Sequence, residues 1–184
     1  MTTPAPRLAP LTDAECTDEQ RALLEPLGPS ASYNIFRTMV RHPKLYRRWS
    51  AFAGRLLQRS ELSDRERELV ILRTSWRCGA GYEWAHHVEI GRQIGLTDDE
   101  IARVATEAGA GWSDHERALL DAVDQLVADR VMADATWDRL APDYSDEQLI
   151  ELIMLAGAYA MLAGALNTLR VATEPGLPAL GEVS

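Results

Sequence analysis

Glu83 and His87 stand four residues apart in the run Arg77-Cys78-Gly79-Ala80-Gly81-Tyr82-Glu83-Trp84-Ala85-His86-His87-Val88. Four residues turn an α-helix by roughly 400 degrees, so both side chains share one face. A carboxylate beside an imidazole orients the ring and favours its charged form, which makes an acid–base unit able to work near neutral pH. The same spacing also describes an ordinary helix ion pair worth about 0.2–0.5 kcal/mol. The flanking Tyr82, Trp84, Val88 and Ile90 argue for partial burial, where charges are seldom idle. His86 competes with His87, because Glu83 reaches i+3 as well as i+4, and spacing does not choose between them. Glu68, inside the apolar run Leu69-Val70-Ile71-Leu72, is a further candidate for a buried carboxylate, or else a solvated charge on a helix face.

Other chemistries lack their parts. Glu83-Trp84-Ala85-His86 has the Glu-x-x-His spacing of carboxylate-bridged di-iron bundles, but such sites need a second copy on a facing helix and the sequence has none, so no metal is expected. Gly79-Ala80-Gly81 lacks the third glycine and preceding strand of a dinucleotide fingerprint, and neither a phosphate-binding loop nor a Gly-x-Ser-x-Gly elbow occurs. No cofactor is expected. Cys16 and Cys78 are the only cysteines and lie far apart, so no structural disulfide is expected, and a lone Cys78 reads either as a small buried filler or as a reactive thiol near a helix end.

These residues must be positioned by helices. Ser63…Glu66, Thr97…Glu100, Ser113…Glu116 and Ser145…Gln148 each place a hydroxyl three residues before Glu or Gln, the capping-box pattern, and each precedes an apolar periodic run. The patterning predicts helices near 17–25, 32–41, 43–58, 64–78, 81–94, 98–107, 114–131, 134–140 and 146–171, with no strand, punctuated by Gly95, Gly109 and Gly111. The last helix is apolar on nearly every side from Leu152 to Leu166. That run is too short for a bilayer and too apolar for a monomer surface, so the helix is either central or an interface. The segments about 1–11 and 174–184 read as flexible or partner-draped tails around a single domain.

Composition agrees with one helical domain: 184 residues, 46% hydrophobic and 26% charged. The net charge of -9 argues against nucleic acid and anionic membrane partners. With no signal-like start and no span-length apolar run, a cytoplasmic location is expected, with a small-molecule substrate as the partner.

The stretch from Glu68 to Glu100, taking in Tyr82-Glu83-Trp84-Ala85-His86-His87-Val88 and Gly95-Leu96-Thr97-Asp98, resembles the carboxymuconolactone decarboxylase and alkylhydroperoxidase D (AhpD) superfamily. The likeness extends through Tyr33-Asn34-Ile35-Phe36-Arg37 and His42-Pro43, and from Tyr144 to Asn167. It implies an all-α, AhpD-like helical bundle, a single domain that assembles as a trimer or hexamer. In the peroxidase branch a Cys-x-x-Cys is followed four residues later by His. Counting back from Gly95 puts His87 at that histidine and Ala80 and Glu83 where the cysteines would stand, with Cys78 two positions out of register. Thiol peroxidase chemistry needs two neighbouring sulfurs, so the decarboxylase-like branch is the better match. Glu68 corresponds to the upstream family glutamate.

The resemblance therefore implies a cofactor-independent lyase or isomerase acting on a carboxylated lactone or related cyclic compound, with His87 moving a proton and Glu83 and Glu68 assisting. Tyr82, Trp84, His86, Arg73 and Cys78 are the candidate substrate-binding residues, and Arg37, Arg73 or Arg77 could pair with a substrate carboxylate. Two further readings are a non-catalytic, oligomeric ligand-binding or scaffold protein and a single-thiol redox protein using Cys78. A cavity beside Glu83 and His87 would favour the enzyme, and exposure of both to bulk solvent the scaffold.

Overall fold

The computed structural model describes residues 5–106 and 111–183. Among these residues the chain is all helical: α1 (Asp18–Leu24), a 3-10 segment (Glu25–Ser32), α2 (Asn34–Met39), α3 (Pro43–Gln58), α4 (Asp64–Arg77), α5 (Gly81–Gln93), α6 (Asp98–Val104), α7 (Asp114–Asp129), α8 (Asp134–Leu140) and α9 (Asp146–Leu169). The predicted helix end at 107 and the punctuation at Gly109 lie outside the described residues. All four predicted capping boxes form, each with the hydroxyl accepting from the backbone N–H three residues on and the Glu or Gln side chain answering the cap N–H. Thr17 and Gln20 make a fifth. The 3-10 segment was not visible in the patterning because Pro26 and Pro29 withhold donors and Gly28 takes a positive φ of 55°.

Helix α4 is the axis of the core. Every residue from Arg67 to Ser75 is buried, charged ones included, because α5, α7 and α9 pack around it. Leu69, Val70, Ile71 and Leu72 meet Trp84 and Val88 of α5, Leu119, Leu120 and Val123 of α7, and Leu152 and Leu155 of α9 in one apolar cluster. A buried Leu or Ile contributes about 1.5–3 kcal/mol relative to exposure, so this contact set is enough to fix the order of the helices. A smaller cluster joins Leu11, Cys16, Leu24, Val40 and Tyr46, and a third joins Ile35, Tyr82, Leu162, Leu166 and Val171.

Helix α9 is central, yet only on one side. Leu149, Leu152, Leu155, Ala156, Tyr159, Leu162, Ala163 and Leu166 are buried, whereas Ile150, Met154 and Met161 are 62%, 47% and 59% exposed. The expectation that this helix is too short for a bilayer needs correction: it has 24 residues, and an 18-residue window within it, with a mean hydropathy of 2.0, satisfies a membrane span by length and composition. Half of that apolar window is buried inside the fold, so core packing accounts for its composition.

The segments expected to be loose tails are laid against the body. Arg7 N–H donates to the Leu169 carbonyl (2.9 Å) and Leu11 N–H to that of Arg37 (3.2 Å). At the other end Asn34 Nδ2 donates to the Ala172 carbonyl (2.8 Å), Trp84 Nε1 to that of Glu182 (3.1 Å), and Arg92 to that of Val183. The anchors are backbone and side-chain groups far away in sequence, which local composition does not reveal.

Candidate active site

Helix α5 presents the site, and the turn before it sets its direction. Cys78 closes α4, Gly79 takes a left-handed φ of 61°, and Ala80 N–H donates back to the Ser75 carbonyl at 2.8 Å. The chain reverses there, so α5 lies along α4 and faces Glu68 with His87.

Glu68 and His87 are both buried, and His87 Nδ1 lies 2.6 Å from Glu68 Oε2. The second Glu68 oxygen accepts from Arg67 Nε at 3.1 Å. Burial opposes the charge on Glu68, but the charge and hydrogen bond of His87, together with Arg67, outweigh it and hold the carboxyl below its ordinary value. His87 Nδ1–H donates to the Glu68 carboxylate, and the other ring nitrogen, Nε2, lies 3.0 Å from the Tyr159 hydroxyl. Glu68, His87 and Tyr159 thus form a hydrogen-bonded chain across three helices. The two rings meet edge to face.

Glu83 departs from the pairing expected from its spacing. It makes no hydrogen bond to His87: both of its carboxyl oxygens are buried without a partner among the described residues. Loss of water pushes its pKa up to about 9, so the group is a neutral carboxylic acid at neutral pH. The i,i+4 relation put the two side chains on one helix face, but the packed α4 carboxylate took the imidazole.

Glu83, His86, His87 and Tyr159 line a cavity of about 450 Å³ between the 3-10 segment, α2, α3, α5 and α9. The rest of its wall is largely apolar and aromatic: Leu27, Tyr33, Ile35, Phe36, Trp49, Phe52, Leu56, Leu57, Tyr82, Ile90 and Leu162. His86 is held from the tail, its Nε2 donating to Glu174 Oε2 at 2.6 Å. The other Glu174 oxygen accepts from the Tyr82 hydroxyl (2.9 Å) and from Asn34 N–H (2.6 Å). Burial works against the Glu174 charge, but these three hydrogen bonds outweigh it and keep the carboxyl below its ordinary value. Tyr33 and Tyr82 pack at a tilt against the His86 ring, with centroids 4.8 and 4.7 Å away.

Of the candidate substrate-binding residues, Tyr82 and His86 line the cavity and three others do not. Trp84 is fully buried against Trp76 in the main core. Arg73 is also buried, its guanidinium held by both Asp124 oxygens (2.7 and 2.6 Å) and by the carbonyls of Val104 (2.6 Å) and Thr106. Cys78 caps α4 outside the cavity, and burial, then the nearby Glu83, push its thiol up, opposite to what a reactive thiolate requires. Arg37 is committed to Asp13, the Ala31 carbonyl and Cys16, and Arg77 reaches Asp124 at 3.4 Å. No arginine or lysine is among the described residues of the cavity wall.

Sequence reasoning missed Tyr159, Glu174 and the aromatic wall. A signal existed for Tyr159, the lone hydroxyl-bearing ring in the apolar run from Leu149 to Leu166. Glu174 had none, because its role depends on the tail folding back. Among the described residues no group of three or more His, Cys, Asp or Glu side chains is placed to hold a metal ion.

Residues 43–125 match the family model for the carboxymuconolactone decarboxylase family. Over this segment the chain is similar to that family, and its fold is AhpD-like. The segment holds α3 to α5 and most of α7, and with them Glu68, Glu83 and His87. Among solved structures, an uncharacterized peroxidase-related protein with an alkylhydroperoxidase AhpD core, from Ralstonia eutropha JMP134, superposes with a TM-score of 0.80 at 21% identity, covering 95% of each chain. A protein of unknown function from Agrobacterium tumefaciens gives 0.68 at 24% identity, over 73% of this chain and 93% of its own. The debrominase Bmp8, in a cysteine-to-alanine form in complex with 2,3,4-tribromopyrrole, gives 0.75 at 16% identity over 91% of each chain. At these identities the likeness to the solved structures is one of fold. No curated protein matches the sequence. Ala80 and Glu83 stand at the positions where the resemblance would put the two cysteines of the peroxidase pattern.

Proposed function

We propose that the protein is a cofactor-independent acid–base enzyme that moves a proton at carbon beside a carbonyl of a cyclic small molecule. The observation that carries this reading is Glu83: a buried, unpartnered, protonated carboxylic acid on the wall of a cavity that also holds His87. An unsatisfied buried carboxyl costs stability, and such groups concentrate where a ligand completes them. In the proposed step the Glu83 O–H donates a hydrogen bond to the substrate carbonyl oxygen. The C–H bond next to that carbonyl breaks and its electron pair forms the enolate, whose oxygen keeps the hydrogen bond from Glu83. The released proton goes to the Tyr159 oxygen as the Tyr159 proton passes to His87 Nε2, and Glu68 balances the resulting imidazolium. Burial raises the Tyr159 pKa far above its ordinary value, which disfavours a free phenolate and favours this coupled transfer.

Return of the proton to a different carbon would make the enzyme an isomerase, and loss of carbon dioxide from a carboxylated ring would make it a lyase. A flat ring in the cavity is consistent with its aromatic wall and with the tribromopyrrole bound by Bmp8. The reading is tested by incubating the protein with cyclic ketones and lactones in D2O and following loss of the proton next to the carbonyl by NMR. Exchange above the buffer rate is expected, falling at least a hundredfold in His87→Ala. Full exchange in His87→Ala, or none in the unaltered protein, would overturn it.

We further propose that the functional unit is a homo-oligomer joined through the outer face of α9. Ile150, Met154 and Met161 follow one another at helical spacing on that face, interleaved with Gly157 and Gly164, which permit close helix approach. The trimers and hexamers implied by the family resemblance point to a second copy as the occupant.

A further inference from the structure

The charge arrangement around the cavity carries more than the reaction class. We infer that the ligand of this site is an electrically neutral, flat one- or two-ring compound with a carbonyl acceptor for Glu83, and not a carboxylate. This rests on the acid–base reading of the site and narrows its substrate.

Three observations support it. The first is the absence of an available cation: the described residues of the cavity wall include neither arginine nor lysine. The two histidines on the wall are each already matched by a carboxylate at 2.6 Å, His87 by Glu68 and His86 by Glu174. An entering carboxylate would give up its water, find no unmatched positive partner, and lie near two carboxylates instead. Arg37 and Arg73, the guanidiniums that could have paired with it, are spent elsewhere in the fold.

The second is what the wall offers in its place. Tyr33, Phe36, Trp49, Phe52 and Tyr82 are flat, apolar surfaces around the cavity, which suit a ring and gain by excluding water from it. The third is the hydrogen-bond inventory. Glu83, as a neutral acid, offers one O–H donor that no group among the described residues accepts, so the ligand must bring an acceptor. A cationic amine would instead ask Glu83 to give up its proton in surroundings that oppose its charge.

The test uses three compounds on one ring frame: 1-indanone, which is neutral, indane-1-carboxylate, an anion, and 1-aminoindane, a cation at pH 7. Binding to the full chain is measured by titration calorimetry. The expected result is 1-indanone binding at least tenfold more tightly than either ion. Equal or tighter binding of the carboxylate or the amine, or binding of none of the three, overturns the inference. Two variants sharpen the result. Glu83→Leu removes the donor and should weaken 1-indanone at least tenfold, whereas unchanged affinity would count against the proposed contact. Phe52, on the wall and 36% exposed, tolerates a long polar side chain, so Phe52→Arg supplies the missing cation and should shift preference toward the carboxylate. No shift in this variant would mean that charge does not govern selection here. Binding is read without turnover, so selective capture of 1-indanone with no proton exchange would sink the enzymatic reading alone. Exchange together with preference for the carboxylate would sink this inference alone.

Discussion

Glu83 has a thermodynamic signature that can be read without knowing any substrate. Its pKa rises from 4.5 in the unfolded chain to about 9 in the fold, so between those values the folded state holds a proton that the unfolded state releases. Whatever stability this group allows is fully present below about pH 4.5 and is lost as pH rises toward about 9. Glu83→Gln keeps the shape and removes the titration, so denaturant unfolding at pH 7 should show the variant more stable by on the order of 3 kcal/mol, with a larger gain at pH 9 and little at pH 4.5. A gain independent of pH would disprove the linkage. Proton exchange should fall as pH rises through about 9, where the acid ionises. Tyr159→Phe deletes the hydroxyl 3.0 Å from His87 Nε2. Exchange should drop tenfold or more while stability changes by about 1 kcal/mol, and unchanged exchange would exclude Tyr159 from the relay. At this scale the sequence was partly legible. Glu68, Glu83 and His87 stood out by type and setting, but the partner of His87 did not. Helical spacing reports which side chains share a face, and it was packing of α5 on α4 that brought Glu68 to 2.6 Å.

Among the elements, α4 bears the greatest electrostatic risk, since it buries Arg67, Glu68 and Arg73 together. Arg73 is 1% exposed and depends on Asp124 of α7 for its charge balance. Asp124→Ala should cost about 3 kcal/mol, the lower end for breaking a buried pair, because the Asp124 side chain is itself 25% exposed. Chemical denaturation gives the number, and a loss below about 0.5 kcal/mol would show that the Val104 and Thr106 carbonyls suffice to hold the guanidinium. Elements were the most legible level of the sequence. Helices α3, α4, α6, α7 and α9 begin where the Ser, Thr and Pro signals put them, because a capping box is a local device whose parts lie three residues apart. The 3-10 segment and the returning tail were illegible for the opposite reason. Two prolines and a left-handed glycine leave no period to read, and Glu174 acquires its role only against Tyr82, His86 and Asn34.

Taken as a whole, the molecule leaves one long helix half used. The proposal that a second copy covers the outer face of α9 predicts a solution mass above the 20.4 kDa of one chain, measured by light scattering after size exclusion. Met161→Glu puts a charge on that face, 59% exposed in the single chain, and should lower the mass without unfolding it. A native protein that already runs at the mass of one chain would dispose of the proposal. Because α9 also supplies Tyr159 and Leu162 to the cavity, the proposed assembly and the cavity geometry would share one helix. The docking of the last segment has an optical consequence. The Trp84 indole donates to the Glu182 carbonyl and its ring lies 6.0 Å from that of Trp76. The chain therefore carries its own chromophore at the point where this segment is seated. Peeling the segment away would deprive a buried indole of its acceptor and admit water, so the Trp84 share of the emission, isolated by replacing the other four tryptophans with Phe, would report whether the strand of chain bearing Glu174 is still in place.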